Sequence, residues 1–488
     1  MKRAIVVGGG FGGIAAALRL RARGHNVTII DRCKCLGGRA QVFERDGFIY
    51  DAGPTVITAP FLLEELFELF NKQLSDYIDI MPVEPWYRFY YPDGETFDYG
   101  GDLEDTLKEI NRIAPEDSDN YQRLLKQSQA IFDVGFSKLA HRPFHSFASM
   151  IRQIPQLIRL RSYKSVYALV SQYLSSDRLR QAFSIQPLLV GGNPFDTTSI
   201  YNLIHFLERK WGIHYARGGM GAVINGLETL LREEGVDIQL QTTVNAFNVE
   251  SNRIQSLELD NGERVEADLI VSNMDPTYLY GTLIPKQHQP VLTRLKTRRA
   301  KLSMGLYVLY FGTNKTYPDV AHHTIWLGKR YKALLNDIFN NKILANDFSL
   351  YLHRPTATDP QMAPPGNDCF YVLSPVPNLQ GVVDWATTRD QYRDKILAAL
   401  ESTLLPDLKA SLVHSFDMTP DEFESDYLST AGAGFSIAPR LTQSAWFRYH
   451  NKGECYDNLF LVGAGTHPGA GLPGVISSAK VVDEILSA

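Results

Sequence analysis

Lys2-Arg3-Ala4-Ile5-Val6-Val7-Gly8-Gly9-Gly10-Phe11-Gly12-Gly13 decides the fold of this chain. A short apolar run ends at once in G-x-G-x-x-G, with Gly8, Gly10 and Gly13 at the three required places. An Ala/Leu/Arg-rich stretch, Ile14 to Arg23, stops at Gly24, and a second apolar run, Val27 to Ile30, ends in Asp31. Strand, glycine turn, helix, strand and acidic residue follow in the order and spacing of a dinucleotide-binding βαβ unit. Gly8 makes the tight turn, Gly10 lets the backbone approach a pyrophosphate, and Gly13 lets the helix pack closely on the sheet. The helix N-terminus then offers free N–H groups and a positive dipole end to phosphates. Asp31 is placed to accept hydrogen bonds from ribose hydroxyls, and its charge argues against a 2′-phosphate. Met-Lys-Arg before an apolar run also mimics a secretory signal, but the glycine turn interrupts the apolar region and no small-residue cleavage site follows.

Outward from this unit, the bulk numbers set bounds. At 488 residues two or three domains are expected. Apolar content of 44% and charged content of 21% are those of a soluble globular protein, and a net charge of −5 gives no reason to expect nucleic acid. Four cysteines are too few and too scattered for a disulfide framework, so a reducing cytosol fits best. Cys33-Lys34-Cys35 has the wrong spacing for zinc and no second ligand pair, and no metal site is expected. No run of about 18 apolar residues suggests a transmembrane helix.

A second glycine pair, Gly37-Gly38, precedes Arg39, whose planar fork of donors suits pyrophosphate oxygens. Phe48-Ile49-Tyr50 reads as a strand running into the small-residue loop Asp51-Ala52-Gly53-Pro54-Thr55. Phe61 to Phe70 has helical spacing, and Trp86–Tyr91 with Thr96–Tyr99 reads as a hairpin about Pro92-Asp93-Gly94-Glu95. From Val134 to Ser176 there is no Asp or Glu, while Lys138, Arg142, Arg152, Arg159, Arg161 and Lys164 alternate with large apolar residues. That composition suits either an anionic membrane surface or a solvated cationic face on an ordinary core helix. Beyond it come a glycine loop, Arg217–Gly221, a helix over Ala222–Arg232, and short strands at Val236–Leu240, Thr242–Val249 and Ala267–Asn273. The last of these suggests a return to the nucleotide domain. Thr293 to Thr442 looks like a second, mixed α+β domain. Finally, Asn458–Val462 reads as a strand, Gly463-Ala464-Gly465-Thr466-His467-Pro468-Gly469-Ala470-Gly471-Leu472-Pro473-Gly474 as a glycine-rich loop, and Val475–Leu486 as a helix.

Two glycine-rich strand-to-helix turns, one near each end, can bracket one extended cofactor, and together with Gly38-Arg39 they favour FAD over a nicotinamide. The strings Leu188–Phe195, Arg217-Gly218-Gly219, Ala321-His322-His323-Thr324, Asp347–Leu352, Leu441–Phe447 and Gly463–Gly474 make the resemblance narrower. On them, and on Gly37–Arg39 and Asp51–Thr55, the chain resembles the bacterial-type phytoene desaturases, FAD-dependent carotenoid desaturases of the flavin amine-oxidase-like superfamily. The resemblance implies an α/β fold: a Rossmann-like FAD-binding domain from residues 1–70, 215–290 and 443–488, with an inserted α+β substrate domain from 71–214 and 291–442. Residues 134–176 would be its helical, membrane-facing region. The expected FAD site comprises Gly8, Gly10, Phe11, Gly13, Asp31, Gly38, Arg39, Gly53, Pro54, Thr55, Val244, Gly463, Gly465, Pro473, Gly474 and Val475. The family's substrate is a C40 polyene, phytoene, drawn from the membrane and carried toward lycopene, with oxygen or a quinone taking the electrons and the protein held peripherally at the membrane. Another carotenoid-modifying flavoprotein, an amine oxidase, or a non-enzymatic lipid-binding protein on the same fold are the competing readings. Many flavoproteins place an acid in the C-terminal motif to hold the ribityl chain, and Gly463-Ala464-Gly465 has none. No strong acid–base motif stands out: His467, in the cofactor loop, is the first catalytic candidate, while His205 and Glu208 sit on a helical pattern that reads more readily as structural.

Overall fold

The computed structural model describes residues 1–144 and 147–487; His145 and Ser146, within the basic stretch, and Ala488 lie outside the described residues. A five-stranded parallel sheet carries the N-terminal unit at its centre. Its strand order is Leu459–Leu461, Leu269–Ser272, Arg3–Val7, Asn26–Ile30 and Asp237–Gln239, so segments from both ends and the middle of the chain meet in one layer. Ala4 to Val7 and Leu269 to Ser272 are buried throughout, the continuous apolar reading of a strand covered on both faces. The helix Phe11–Ala22 packs beside the C-terminal helix Leu472–Ser487, with Leu18, Leu20, Ile476 and Val482 buried between helices and sheet. Each such side chain contributes about 1.5–3 kcal/mol on burial.

The second layer system is a seven-stranded sheet, ordered Leu412–Met418, Gly305–Thr313, Asp368–Val376, Leu350–His353, His323–Trp326, Tyr87–Tyr90 and Thr96–Tyr99. The hairpin at 87–99 is therefore not a local feature. Tyr87–Tyr90 runs parallel to His323–Trp326 and joins residues from before and after the middle nucleotide-binding segment into one sheet. The helix Leu103–Ile113 packs against the edge strand Thr96–Tyr99, Ser118–Gly135 packs against Leu203–Trp211, and Phe147–Arg159 touches the turn Ala445–Phe447.

Helix starts are the main local correction. The C-terminal helix begins at Leu472 rather than Val475, which puts Pro473 in its first turn, where the missing N–H costs nothing. The helix expected at Ala222 begins at Gly219, and Ser199–Asn202 forms a 3₁₀ turn ahead of the α-helix Leu203–Trp211. Strand edges at 237–239 and 244–250 differ from the expected ones by one or two residues, because apolar flanks outlast the hydrogen-bonded ladder.

Candidate active site

At the carboxyl ends of the parallel strands opens a cavity of about 560 Å³ that continues between the two sheets. Its glycine pole is built by close backbone approach. Gly8 has φ +97°, and a Cβ at Gly10 would come within 2.9 Å of Asn273 Nδ2. A Cβ at Gly12 would come within 2.6 Å of Asn273 Oδ1. The helix that follows is capped by Gly10 with no side-chain acceptor, so its first amides remain available to an anion. Gly8, Gly10 and Phe11 line the cavity. Gly13 does not: its missing side chain instead accommodates the carbonyl oxygen of Gly8, which a Cβ would overlap. Gly463 is likewise behind the wall, held by Ser478 Oγ, which accepts from its N–H at 2.9 Å. Both glycines shape the site without facing it.

Asp31 ends the second strand and lines the cavity, with one carboxylate oxygen accepting from Gly9 N–H and the other from Cys33 N–H at 2.7 Å. Burial pushes its carboxyl up while those two amides pull it down. It clamps the turn as well as being placed for a ribose. Gly38, with φ +58°, and Arg39 form the adjacent wall. Arg39 donates to Ser429 Oγ at 2.7 Å and, among the described residues, has no carboxylate in contact; burial pushes its guanidinium down, and Asp275 is the first charge opposing that. A desolvated cation with spare donors in a cavity wall is an anion site. Gly53 (whose Cβ would overlap Arg39 O), Pro54, Thr55 and Val244 continue the wall. Gly465, Pro473, Gly474 and Val475 close it from the C-terminal loop.

His467 stands where that loop meets residues 139–144. Its Nε2 lies 3.0 Å from the Leu139 carbonyl, and a carbonyl only accepts, so Nε2 carries the hydrogen and Nδ1 the lone pair. Nδ1 is buried with no hydrogen-bond partner among the described residues, and burial lowers the imidazole to about 4. Of the other two proton acceptors considered, His205 is buried outside the cavity, beside Tyr99 OH at 3.2 Å, and burial lowers it to about 3. Glu208, by contrast, lines the cavity, although its helical pattern reads as structural. Burial raises its carboxyl to about 8, with Tyr87 OH donating at 3.3 Å and Gln186 at 3.5 Å.

Three residues were not read from the sequence. Asn273 underlies four of the glycines, and its place at the carboxyl end of the returning strand is the signal that could have found it. Asp275, two residues on, lines the cavity with Oδ2 unpartnered, while Oδ1 accepts from Thr277 and Ser436. It is a carboxylate on the cavity wall, where Gly463-Ala464-Gly465 offers none. Arg448 is buried and donates to the carbonyls of Thr466, Ala464 and Gln443, so it fixes the C-terminal loop by its backbone.

The site fits FAD: two glycine-walled turns without room for a Cβ, an uncapped helix N-terminus, a desolvated arginine and two carboxylates for hydroxyls, all on one cavity. Residues 11–482 match the family described as flavin containing amine oxidoreductase. The chain is 45% identical over 489 residues to a phytoene desaturase (lycopene-forming) of Pseudescherichia vulneris, covering 100% of this chain and 99% of that one. It is 40% identical to a phytoene desaturase (neurosporene-forming) of Rhodobacter capsulatus, covering 100% and 94%. Among solved structures, an oxidoreductase from Methanosarcina mazei has the same fold, with a TM-score of 0.67 at 16% identity over 99% of this chain and 100% of that one. The chain belongs to the flavin-containing amine oxidoreductase family, in its phytoene desaturase branch.

Proposed function

We propose that the protein desaturates phytoene to lycopene at a bound FAD. The observation that carries this reading is the single cavity, whose glycine and arginine pole continues without a barrier into a wall of Leu157, Leu188, Ile204, Leu350 and Leu373. A polar dinucleotide and a long hydrocarbon would share one space. FAD supplies hydride acceptance at its flavin ring. The first-turn amides after Gly10 and the Arg39 guanidinium would bind the FAD pyrophosphate, Asp31 and Asp275 would accept from hydroxyls of its sugar parts, and the apolar wall would align the polyene and exclude water. Desaturation also releases a proton. His467 Nδ1 receives it: the imidazole is neutral above about pH 4, so its lone pair is free throughout the ordinary range. A weak base suffices, because a carbon next to a cationic polyene is a strong acid.

The helix Phe147–Arg159 supports a membrane-facing mouth. Met150, Gln153 and Leu157 line the cavity, while Ile151, Ile154 and Ile158 are 49%, 42% and 59% exposed on the other side, flanked by exposed Arg152 and Arg159. An apolar outer face with cations beside it matches a peripheral helix in an anionic bilayer surface. Among the described residues no helix is long and apolar enough to cross a membrane. A substrate dissolved in the bilayer would pass this helix, and so would a quinone; with oxygen, it is one of the two electron acceptors that fit.

Incubating the protein with FAD and phytoene liposomes tests the reading. Growth of lycopene's absorption bands with loss of phytoene is expected, and an unchanged phytoene pool overturns it. Repeating the assay without oxygen, with and without a quinone, separates the acceptors.

A further inference from the structure

Behind the cavity wall, three imidazoles converge. His322, His323 and His353 each offer a ring nitrogen, all within 4.8 Å of one another, and every one of these residues is buried. Beside this trio stands Asp51, whose Oδ2 lies 3.6 Å from His353 Nε2 and which has no exposed side-chain surface. Among the described residues, His322 Nε2, His323 Nε2, both nitrogens of His353 and Asp51 Oδ2 have no hydrogen-bond partner. Such groups cost about 1–3 kcal/mol each when left unsatisfied, and more when charged.

The outward sides of the rings are engaged. His322 Nδ1 is 2.6 Å from Thr358 Oγ1, and His323 Nδ1 is 2.7 Å from Tyr351 OH. If each Nδ1 donates to its hydroxyl, both Nε2 lone pairs point inward. That is the arrangement of metal-ligating histidines, whose outer N–H is held by an oxygen that fixes ring and tautomer. Asp51 Oδ1 accepts from Met220 N–H at 2.7 Å, which leaves Oδ2 as the inward oxygen.

We propose that His322, His323, His353 and Asp51 bind a single first-row divalent metal cation. Three neutral imidazoles and one carboxylate suit Zn²⁺, Fe²⁺, Co²⁺ or Ni²⁺ and are poor for Ca²⁺ or Mg²⁺. Ligand nitrogens about 2.1 Å from one ion lie at most about 4.2 Å apart, so any pair standing at the outer limit closes in by about half an ångström on binding.

The cation would tie three separate segments together: the strand Phe48–Asp51, which leads into Gly53-Pro54-Thr55, and the neighbouring strands His323–Trp326 and Leu350–His353. The hydroxyl of Tyr351 that touches His323 also touches Thr55 Oγ1, and both residues line the cavity. The cation is therefore a clamp behind the cofactor wall rather than a participant in the chemistry. It escaped the sequence reading because its ligands lie in three segments with no local spacing motif.

The test uses the flavin-loaded full chain without a histidine tag. Elemental analysis after purification, and after incubation with Zn²⁺, Fe²⁺, Co²⁺ or Ni²⁺ followed by desalting, should find about one metal per chain. The Co²⁺ form should show visible d–d bands. Thr358→Val removes an outer hydroxyl partner, keeps the ligands and should weaken metal affinity about ten- to hundred-fold while flavin content is unchanged. His322→Gln should abolish the Co²⁺ bands. Metal below about a tenth of an equivalent in the wild type after every incubation overturns the proposal. So does metal content, or a Co²⁺ spectrum, that both variants share with the wild type. Because the first readout is made on the wild-type protein, a variant that fails to fold does not protect the idea.

Discussion

Arg39 and Glu208 line the same cavity and are both desolvated, yet the protein treats their charges in opposite ways. Arg39 cannot give up its proton, so it stays a cation beside the glycine turns, partnered by a hydroxyl and faced by Asp275. Glu208 accepts from a tyrosine hydroxyl and an amide, and burial outweighs these and the Arg209 charge and raises it to about 8, so at neutral pH it is an uncharged acid. One end of the cavity keeps a charge for an anionic ligand to meet. The other removes one beside an apolar wall that includes Ile204. Burial alone does not decide the outcome; the difference lies in whether the group can titrate and in what it faces.

The strongest way to break this division is at the glycine pole. Gly13→Val places carbon atoms on the Gly8 carbonyl and forces the helix off the turn. Loss of bound flavin after gel filtration is expected, with a large fall in folded yield. A Gly13→Val protein that keeps a full complement of flavin would refute the close-packing account.

Next in size is the proton. His467→Phe keeps the ring contact with Phe144, 4.8 Å between centroids, and removes the Nδ1 lone pair. Turnover should fall by about 100-fold with flavin retained. In the wild type, the His467 limb of the pH profile lies near 4, so activity should not fall through loss of this base as pH rises from 5 to 9. A rise of activity through pH 8 that disappears in Glu208→Gln would move the proton to Glu208 instead.

Arg39→Ala tests the charged pole directly. Losing one charge-assisted contact to a pyrophosphate costs about 1.5–3 kcal/mol, so FAD affinity measured by fluorescence titration should drop roughly ten- to hundred-fold. Smaller again is the outer face of the mouth. Serine at Ile151, Ile154 and Ile158 together should weaken sedimentation with anionic vesicles by roughly tenfold, since each side chain is already half buried. Flavin content should be unchanged. Vesicle binding equal to the wild type would return this helix to the role of an ordinary cationic surface.

The two ends also differ in how far the sequence discloses them. The glycine pole is local chemistry: turn, helix start and strand end fall within thirty residues, and the residues that pack behind it, Gly13 and Gly463, carry the same signature as those that face the cavity. Glycine spacing reports close backbone approach, not which side the ligand is on. Asn273 and Asp275 are legible only through their place after a strand that rejoins the sheet. The apolar end has no such grammar. Glu208 lies on a helix whose periodicity reads as core, and only the fold shows that its core neighbour is a cavity. The hairpin at 87–99 was legible as a hairpin, but its parallel partner at 323–326 is more than two hundred residues away. Local pattern gives local structure; long-range pairing has no local trace.

The finest test of the division is the pH dependence of stability, and it isolates Glu208. Its folded-state value of about 8 stands above the ordinary 4.5, so the folded protein holds a proton that the unfolded chain releases between those values. The stability from this neutral acid is fully present below about pH 4.5 and is lost as pH rises toward 8, by about 1.4 kcal/mol per pH unit inside the window. Glu208→Gln is neutral at every pH. Its amide nitrogen would face Gln186, whose Oε1 has no partner and accepts once the Gln186 amide turns over. Its oxygen still accepts from Tyr87. Wild type and variant should therefore unfold alike near pH 5, and the variant should melt a few degrees higher at pH 8. Asp51, raised to about 7, titrates in the same window in both proteins and cancels in the difference. Parallel melting curves across the whole range would mean that Glu208 is ionised in the folded state and that both ends of the cavity carry charge.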